Sequence, residues 1–170
     1  ERVLIYDCEG YFMGPTLAEK LAQDGYSVRL VTPFPGVGPT MDFTGENLFY
    51  IPHLISRGIE LITSHFIQKI EKNTVIGFNS LSPQTPIPWP ADSIVLVTSR
   101  VPNDALYNEM INNTDQLVDN KISAVYRIGD CVAPRMFVGD AIFDGHRLAR
   151  EIDTANPTIP LPYLRERVVV

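Results

Sequence analysis

A short apolar segment near the start of the chain constrains the fold more than any other feature. Val3–Tyr6 is a continuous apolar run that ends at Asp7, which is typical of a strand buried on both faces of a parallel sheet. A glycine-containing turn and a segment with apolar residues at helical spacing, 15–22, follow it. Val28–Thr32 is a second strand-like run. Strand, helix and strand in this order predict a right-handed βαβ unit.

The same alternation continues along the chain. Further helices are predicted at 46–57, 103–111 and 139–153, and further strands at 59–62, 92–98 and 124–128. Two short β segments, 66–70 and 74–78, surround a polar turn and predict an antiparallel hairpin, whereas the four prolines of 82–90 predict a loop. The fold class is therefore α/β, a three-layer Rossmann-like doubly wound parallel sheet of order 3-2-1-4-5 with a small antiparallel insertion. We expect one domain at 1–155 and an extended tail at 156–170.

Composition excludes several classes of protein. The net charge of -6 argues against a nucleic-acid surface, and no apolar run is long enough to span a membrane. Cys8 and Cys131 are too few for a four-thiolate iron–sulfur cluster and lack zinc-site spacing, so we expect reduced thiols, no metal and a cytoplasmic location. Both follow apolar strands, so a reactive or redox-paired role is the alternative. The chain begins at Glu1 rather than Met, which we interpret as the mark of a fragment.

The turn after the first strand occupies the position of a dinucleotide site without its chemistry. Such a site needs Gly-x-Gly-x-x-Gly, because the backbone must approach a diphosphate at a helix N-terminus. If Gly14 takes the place of the last glycine, Glu9 and Tyr11 occupy the first two places. A structural or vestigial turn is favoured here, and a site for another ligand or an atypical nucleotide site stays open.

The turn after the last predicted strand has more suitable chemistry. Gly129 permits a sharp bend, Asp130 can accept hydrogen bonds from hydroxyl groups, and the next helix offers N-terminal amides to an anion. Gly-Asp is a common dipeptide and is weak evidence for a nucleotide site by itself. Its value as evidence depends on the whole run from Val125 to Ala149.

That run, together with Tyr11–Ala22 and Glu151–Pro157, resembles the C-terminal region of the trimethylamine dehydrogenase family. The family consists of old-yellow-enzyme-like NADH:flavin oxidoreductases, including dimethylamine and histamine dehydrogenases and 2,4-dienoyl-CoA reductase. The resemblance implies an upstream FMN barrel, a 4Fe-4S cluster and two domains of the FAD/NAD(P)-binding type, the second inserted in the first. This chain resembles the inserted domain plus the returning strand and helix, with a degenerate NAD fingerprint.

For the site, the resemblance implies that Gly129, Asp130 and Ala141 contact ADP or FAD together with an upstream half-site. It implies no catalytic residue in the chain and no activity of the fragment alone. The implied partners are the FMN barrel and the first nucleotide-binding domain, and homodimerisation is left open. By branch, the resemblance implies that the parent oxidises amines by N-demethylation, with enoyl reduction as the alternative.

Two other functions compete with this interpretation. The first is a purely structural or dimerisation domain whose nucleotide site has decayed. The second is a response-regulator receiver, for which Asp7 and Glu9 could form the acidic pair. A receiver also needs an Asp after strand 3 and a Lys after strand 5, but strand 3 runs into Thr63-Ser64 and Gly129-Asp130 follows strand 5.

Overall fold

The chain folds as two compact units. The structure, a computed structural model, describes residues 1–158. The first unit comprises Glu1–Ser99 and the second begins at Arg100.

The first unit contains two sheets and two helices. Its elements are β1 (Arg2–Asp7), α1 (Met13–Gln23), β2 (Ser27–Val31), α2 (Asn47–Ser56), β3 (Glu60–Ile62), β4 (His65–Glu71), β5 (Thr74–Asn79), β6 (Ser82–Pro90) and β7 (Ser93–Val97). The parallel sheet has the order β3-β2-β1-β7, and the separate antiparallel sheet has the order β4-β5-β6. The α/β class, the antiparallel insertion and the order of the first four parallel strands are confirmed.

The central strand β1 is buried on both faces of the parallel sheet. Ile5 is fully buried and packs in the same cluster as Leu30 and Leu54. Its neighbour Leu4 points to the opposite face, where it packs with Trp89 and Val75 of the antiparallel sheet. Helices therefore cover one face and the antiparallel sheet covers the other, which explains the continuous apolar run in this strand.

The strands at which the first unit begins and ends are neighbours. β7 pairs in parallel with β1, with Val3 opposite Ser93 and Asp7 opposite Val97. Arg2 and Asp92 join their starting points, because the Arg2 Nη2 lies 2.6 Å from the Asp92 Oδ1. This pairing lowers the pKa of the Asp92 carboxyl through hydrogen bonds and charge.

The prediction of a loop at 82–90 is wrong, because these residues form β6. Proline cannot donate a ladder hydrogen bond, so proline-rich segments were expected to lie outside sheets. β6 pairs with β5 alone among the described residues, which leaves its other side free of ladder bonds. An edge strand tolerates proline on that side.

The second unit contains helices without a described sheet. Its elements are α3 (Ala105–Asn112), α4 (Thr114–Asp119), a 3₁₀ turn at Gly129–Cys131 and α5 (Val138–Glu151). No sequence pattern indicated α4. The prediction of a fifth strand at 124–128 is wrong, because Ile128 is extended but no residue of this segment pairs with another described strand. An extended segment becomes a strand only where a second backbone edge meets its N–H and C=O groups.

The second unit exposes many apolar side chains. Between residues 100 and 158, only Gly129 and Pro157 are buried. Large apolar side chains are exposed on α3, α4 and α5, among them Leu106, Val118 and Phe143. Within the described part, no helix has the length and apolar character needed to cross a membrane. Most of the tail expected at 156–170 lies outside the described residues.

Candidate functional site

The Gly129–Asp130 turn lies directly against the start of α5. Gly129 has a φ of +66°, in the left-handed region that favours glycine. A Cβ on Gly129 would lie 3.4 Å from the Cβ of Ala141, so the turn approaches the helix closely. The structure thus brings together Gly129 and Ala141, two of the three residues predicted for the site.

Asp130 is exposed beside this contact. Its Oδ1 accepts a long hydrogen bond of 3.4 Å from the Arg135 amide. No side chain caps the N-terminus of α5, which begins at Val138. The arrangement combines a carboxylate that can accept hydrogen bonds from hydroxyl groups with helix amides that can bind an anion.

The Asp144 carboxylate on α5 binds the Gly129–Asp130 turn. The Asp144 Oδ2 accepts a hydrogen bond of 3.0 Å from the Gly129 amide and also pairs with the Arg135 guanidinium. Burial opposes ionisation of Asp144, but these hydrogen bonds outweigh it and keep the pKa of its carboxyl below the usual range. Neither Asp144 nor Arg135 was predicted as a site residue, because their spacing matches no motif.

A broad groove of about 1350 Å³ runs along α5 in the second unit. Its lining includes Arg135, Asp144 and the aromatic rings of Tyr107, Tyr126 and Phe143. Arg127 lies over the Tyr107 ring, with its guanidinium carbon 5.0 Å from the ring centre. The groove therefore offers aromatic and cationic surface next to the Gly129–Asp130 turn.

The backbone amides of the turn after β1 donate hydrogen bonds to carboxylates of the same turn. The Asp7 Oδ1 accepts hydrogen bonds from the amides of Glu9 at 2.9 Å and Gly10 at 3.3 Å. The Glu9 Oε2 accepts one of 3.0 Å from the Met13 amide at the start of α1. These are the amides that would face a diphosphate in a dinucleotide fold, and here carboxylates of the same turn engage them.

Asp7 is the most unusual titratable residue of this turn. Its side chain is fully buried, and its second oxygen, Oδ2, has no hydrogen-bond partner in the described structure. A Cβ on Gly14 would lie 2.5 Å from the Asp7 Cγ, so α1 packs tightly on the carboxyl group. Removal from water raises the pKa of Asp7 to about 6, although the Gly10 amide opposes the shift.

The remaining candidates from the sequence are exposed polar side chains and two thiols. Thr98 and Ser99 follow β7 and are exposed, as is His146 on α5. Cys8 and Cys131 are free thiols, and burial raises the pKa of Cys8. No group of three or more metal-ligating side chains occurs among residues 1–158.

One polar cluster was not predicted. Glu19 on α1 accepts a hydrogen bond of 2.9 Å from the Tyr50 hydroxyl, and it pairs with His53 on α2 at 2.8 Å. Hydrogen bonds from His53 and Tyr50 lower the pKa of Glu19. The spacing of Tyr50 and His53 on one helix face was the available signal. The cluster joins the two helices on their outer surface.

Comparisons with known proteins identify relatives of the chain. Residues 1–83 match the family model of the OYE-like second alpha/beta domain. Dimethylamine dehydrogenase from Hyphomicrobium sp. (strain x) is 34% identical over 186 residues, which covers 98% of this chain. The chain is homologous to this dehydrogenase. It spans only 25% of that relative's length.

Two solved structures also resemble the chain. Histamine dehydrogenase from Rhizobium sp. 4-9 aligns with 98% of the chain at a TM-score of 0.87 and 30% identity, and the alignment covers 25% of that enzyme. The 6-hydroxypseudooxynicotine amine oxidase from Pseudomonas geniculata N1 aligns with 91% of the chain at a TM-score of 0.78 and 27% identity, over 22% of its own length. The chain therefore resembles a Rossmann-like part of each of these two enzymes, about a quarter of their length.

Proposed function

We propose that the chain is the nucleotide-binding-like domain of a larger cytoplasmic flavoenzyme of the trimethylamine and dimethylamine dehydrogenase type, in which Asp130 contacts an adenine nucleotide. The observation that carries the proposal is the Gly129–Asp130 turn, which lies against Ala141 in a homologue of amine dehydrogenases. In such a parent, FMN and a 4Fe-4S cluster would be held outside this chain. The chain would then carry no catalytic residue.

The residues present fit half of a nucleotide site. Asp130 provides an exposed acceptor for a hydroxyl group of ADP or FAD, and the uncapped start of α5 provides amides for a phosphate. Gly129 keeps the turn close to Ala141, so both groups lie at the same end of α5. The rest of the pocket would come from the upstream nucleotide-binding domain. When bound, the flavin would supply the redox chemistry.

The surface of the second unit supports a partner within the same polypeptide. Its exposed apolar side chains include Val101, Leu106 and Val138, each more than two-thirds exposed. Where exposed apolar side chains form a continuous patch, they are the kind of surface that a partner covers. The extended segment 124–128 has no strand partner among the described residues, so its backbone is available to a sheet of the upstream domain.

A second candidate function is a purely structural or dimerisation domain whose nucleotide site has decayed. It is favoured by the turn after β1, where Asp7 and Glu9 engage the amides that a diphosphate would need. The two functions differ in what they predict for Asp130.

Substitution of Asp130 by alanine tests the proposal. In the full-length enzyme, we expect the affinity for ADP to fall at least about tenfold, because a hydrogen bond to a charged group contributes roughly 1.5–3 kcal/mol. Isothermal titration calorimetry with ADP, FAD, NADH and NADPH measures the effect. Asp153→Ala is the matched control, because it removes an exposed carboxylate just beyond the other end of α5. No binding of any nucleotide, or equal binding by both variants, would favour the structural function.

A further inference from the structure

The Gly129–Asp130 turn is part of a closed ring of interactions. Asp144 accepts a hydrogen bond from the Gly129 amide, and Gly129 is covalently followed by Asp130. Asp130 accepts from the Arg135 amide, and the Arg135 side chain returns to Asp144. The ring thus joins a helix carboxylate, the turn and the segment that leads into α5.

Arg135 also ties this ring to the first turn of α5. Its Nη2 donates to the Asp140 carbonyl at 3.3 Å. Its Nε is buried and has no acceptor in the described structure, so the guanidinium depends on Asp144 and Asp140 for its position. The side chain of Asp144 is only 14% exposed, which shields the ion pair from solvent better than an ordinary surface pair.

The ring has a geometric consequence for ligand binding. The carboxylate of Asp130 and the amides at the start of α5 would contact different parts of one nucleotide. Their separation depends on how the turn is held against the helix. Among residues 1–158, Asp144 is the one side chain that bonds both the Gly129 amide and the Arg135 guanidinium.

We propose that Asp144, acting with Arg135, is a positioning residue that sets the orientation of Asp130 for a nucleotide. This rests on the proposed function, since Asp130 must contact the ligand. In this role Asp144 acts through its bonds to Gly129 and Arg135, not through a contact with the nucleotide. A loss of Asp144 therefore weakens binding only through Asp130.

A double-mutant cycle in the full-length enzyme tests this dependence. ADP dissociation constants are measured by calorimetry for the wild type, Asp144→Ala, Asp130→Ala and the double variant. We expect Asp144→Ala to weaken ADP binding about fivefold in the wild-type background and to have no further effect once Asp130 is alanine. Residues that act through one another are non-additive in this way, whereas independent effects multiply.

Glu151→Ala provides a matched control for a purely structural role. Glu151 is also a carboxylate on α5 that pairs with an arginine, Arg147, at 2.9 Å, and its side chain is 13% exposed. We expect it to lower the melting temperature about as much as Asp144→Ala but to leave ADP affinity unchanged. Arg135→Gln is a second variant, since it keeps the main-chain donor to Asp130 and should also be non-additive with Asp130→Ala.

Each outcome decides between the proposals. If Asp130→Ala weakens binding and the effect of Asp144→Ala multiplies with it, or matches that of Glu151→Ala, Asp144 is not a positioning residue while the proposed function stands. If the wild-type enzyme binds no ADP, both proposals are overturned. Non-additivity of both Asp144→Ala and Arg135→Gln supports the positioning role.

Discussion

Replacement of Asp7 by asparagine is expected to make the stability of the chain less sensitive to pH. The folded state holds the Asp7 carboxyl at a pKa of about 6, above the ordinary value of 3.8, because the side chain is buried. The folded state therefore binds the proton more tightly than the unfolded state does. Stability from this group is fully present below pH 3.8 and is lost as the pH rises to about 6.

The size of this change in stability follows from the pKa shift of Asp7. Since one pKa unit corresponds to 1.36 kcal/mol, the free energy of unfolding of Asp7→Asn relative to the wild type should rise by about 3 kcal/mol between pH 3 and pH 8. The comparison of two pH values cancels any constant effect of the new amide. Urea unfolding at a series of pH values measures the difference.

Asp92→Asn is the control with the opposite sign. Arg2 lowers the pKa of Asp92, so stability from that pair is present above its ordinary pKa and is lost as the pH falls. We expect the Asp92→Asn variant to be less stable than the wild type at neutral pH and to approach it in acid. A pH-independent difference between Asp7→Asn and the wild type would show that the Asp7 carboxyl titrates normally.

Substitution of Gly77 by alanine is expected to destabilise the first unit by about 3 kcal/mol, the upper end of the usual range for overpacking. A Cβ at this position would lie 2.3 Å from the Trp89 ring and 2.5 Å from the Phe66 carbonyl oxygen. The second atom belongs to the backbone of a paired strand, so it cannot move without disturbing the β4–β5 ladder. Trp89 is 5% exposed and packs between the two sheets.

Gly36→Ala separates this steric effect from the general effect of removing a glycine. A Cβ on Gly36 would meet no atom within 4 Å, so its substitution should change stability by less than about 0.5 kcal/mol. Guanidinium unfolding followed by Trp89 fluorescence reports directly on the affected cluster. Equal midpoints for the two variants would mean that Gly77 does not lie against Trp89 and the Phe66 carbonyl oxygen as described.

Strands and helices that are set by local residue patterns were predicted from the sequence. Strands that depend on pairing with another strand were not. The apolar run at Val3–Tyr6 correctly identified the central strand, because burial on both faces leaves a direct compositional signal. β6 was missed since proline opposes regular structure locally, and only its position at a sheet edge makes it acceptable. The segment 124–128 was assigned to a strand on composition alone, although composition carries no information about a partner strand.

The same limit applies to the candidate site. Gly129 and Ala141 were predicted through the family resemblance, and the structure brings them into contact. The sequence also predicted that Asp7 and Glu9 lie in the turn after the first strand. It did not predict that both accept hydrogen bonds from amides of this turn. Asp144 and Arg135 are nine residues apart and come into contact because the chain bends between them. The periodicity of a helix or a strand does not predict such a contact.

The parallel pairing of β1 with β7 determines where the first unit begins and ends. Neighbouring strands lie about 5 Å apart, and each strand here is roughly 17–20 Å long. Because the two strands run in the same direction, residues 1 and 99 lie at opposite edges of the parallel sheet, about one strand length apart. A host protein that received this unit would therefore need two attachment points separated by that length, and the Arg2–Asp92 pair would lie at the first of them.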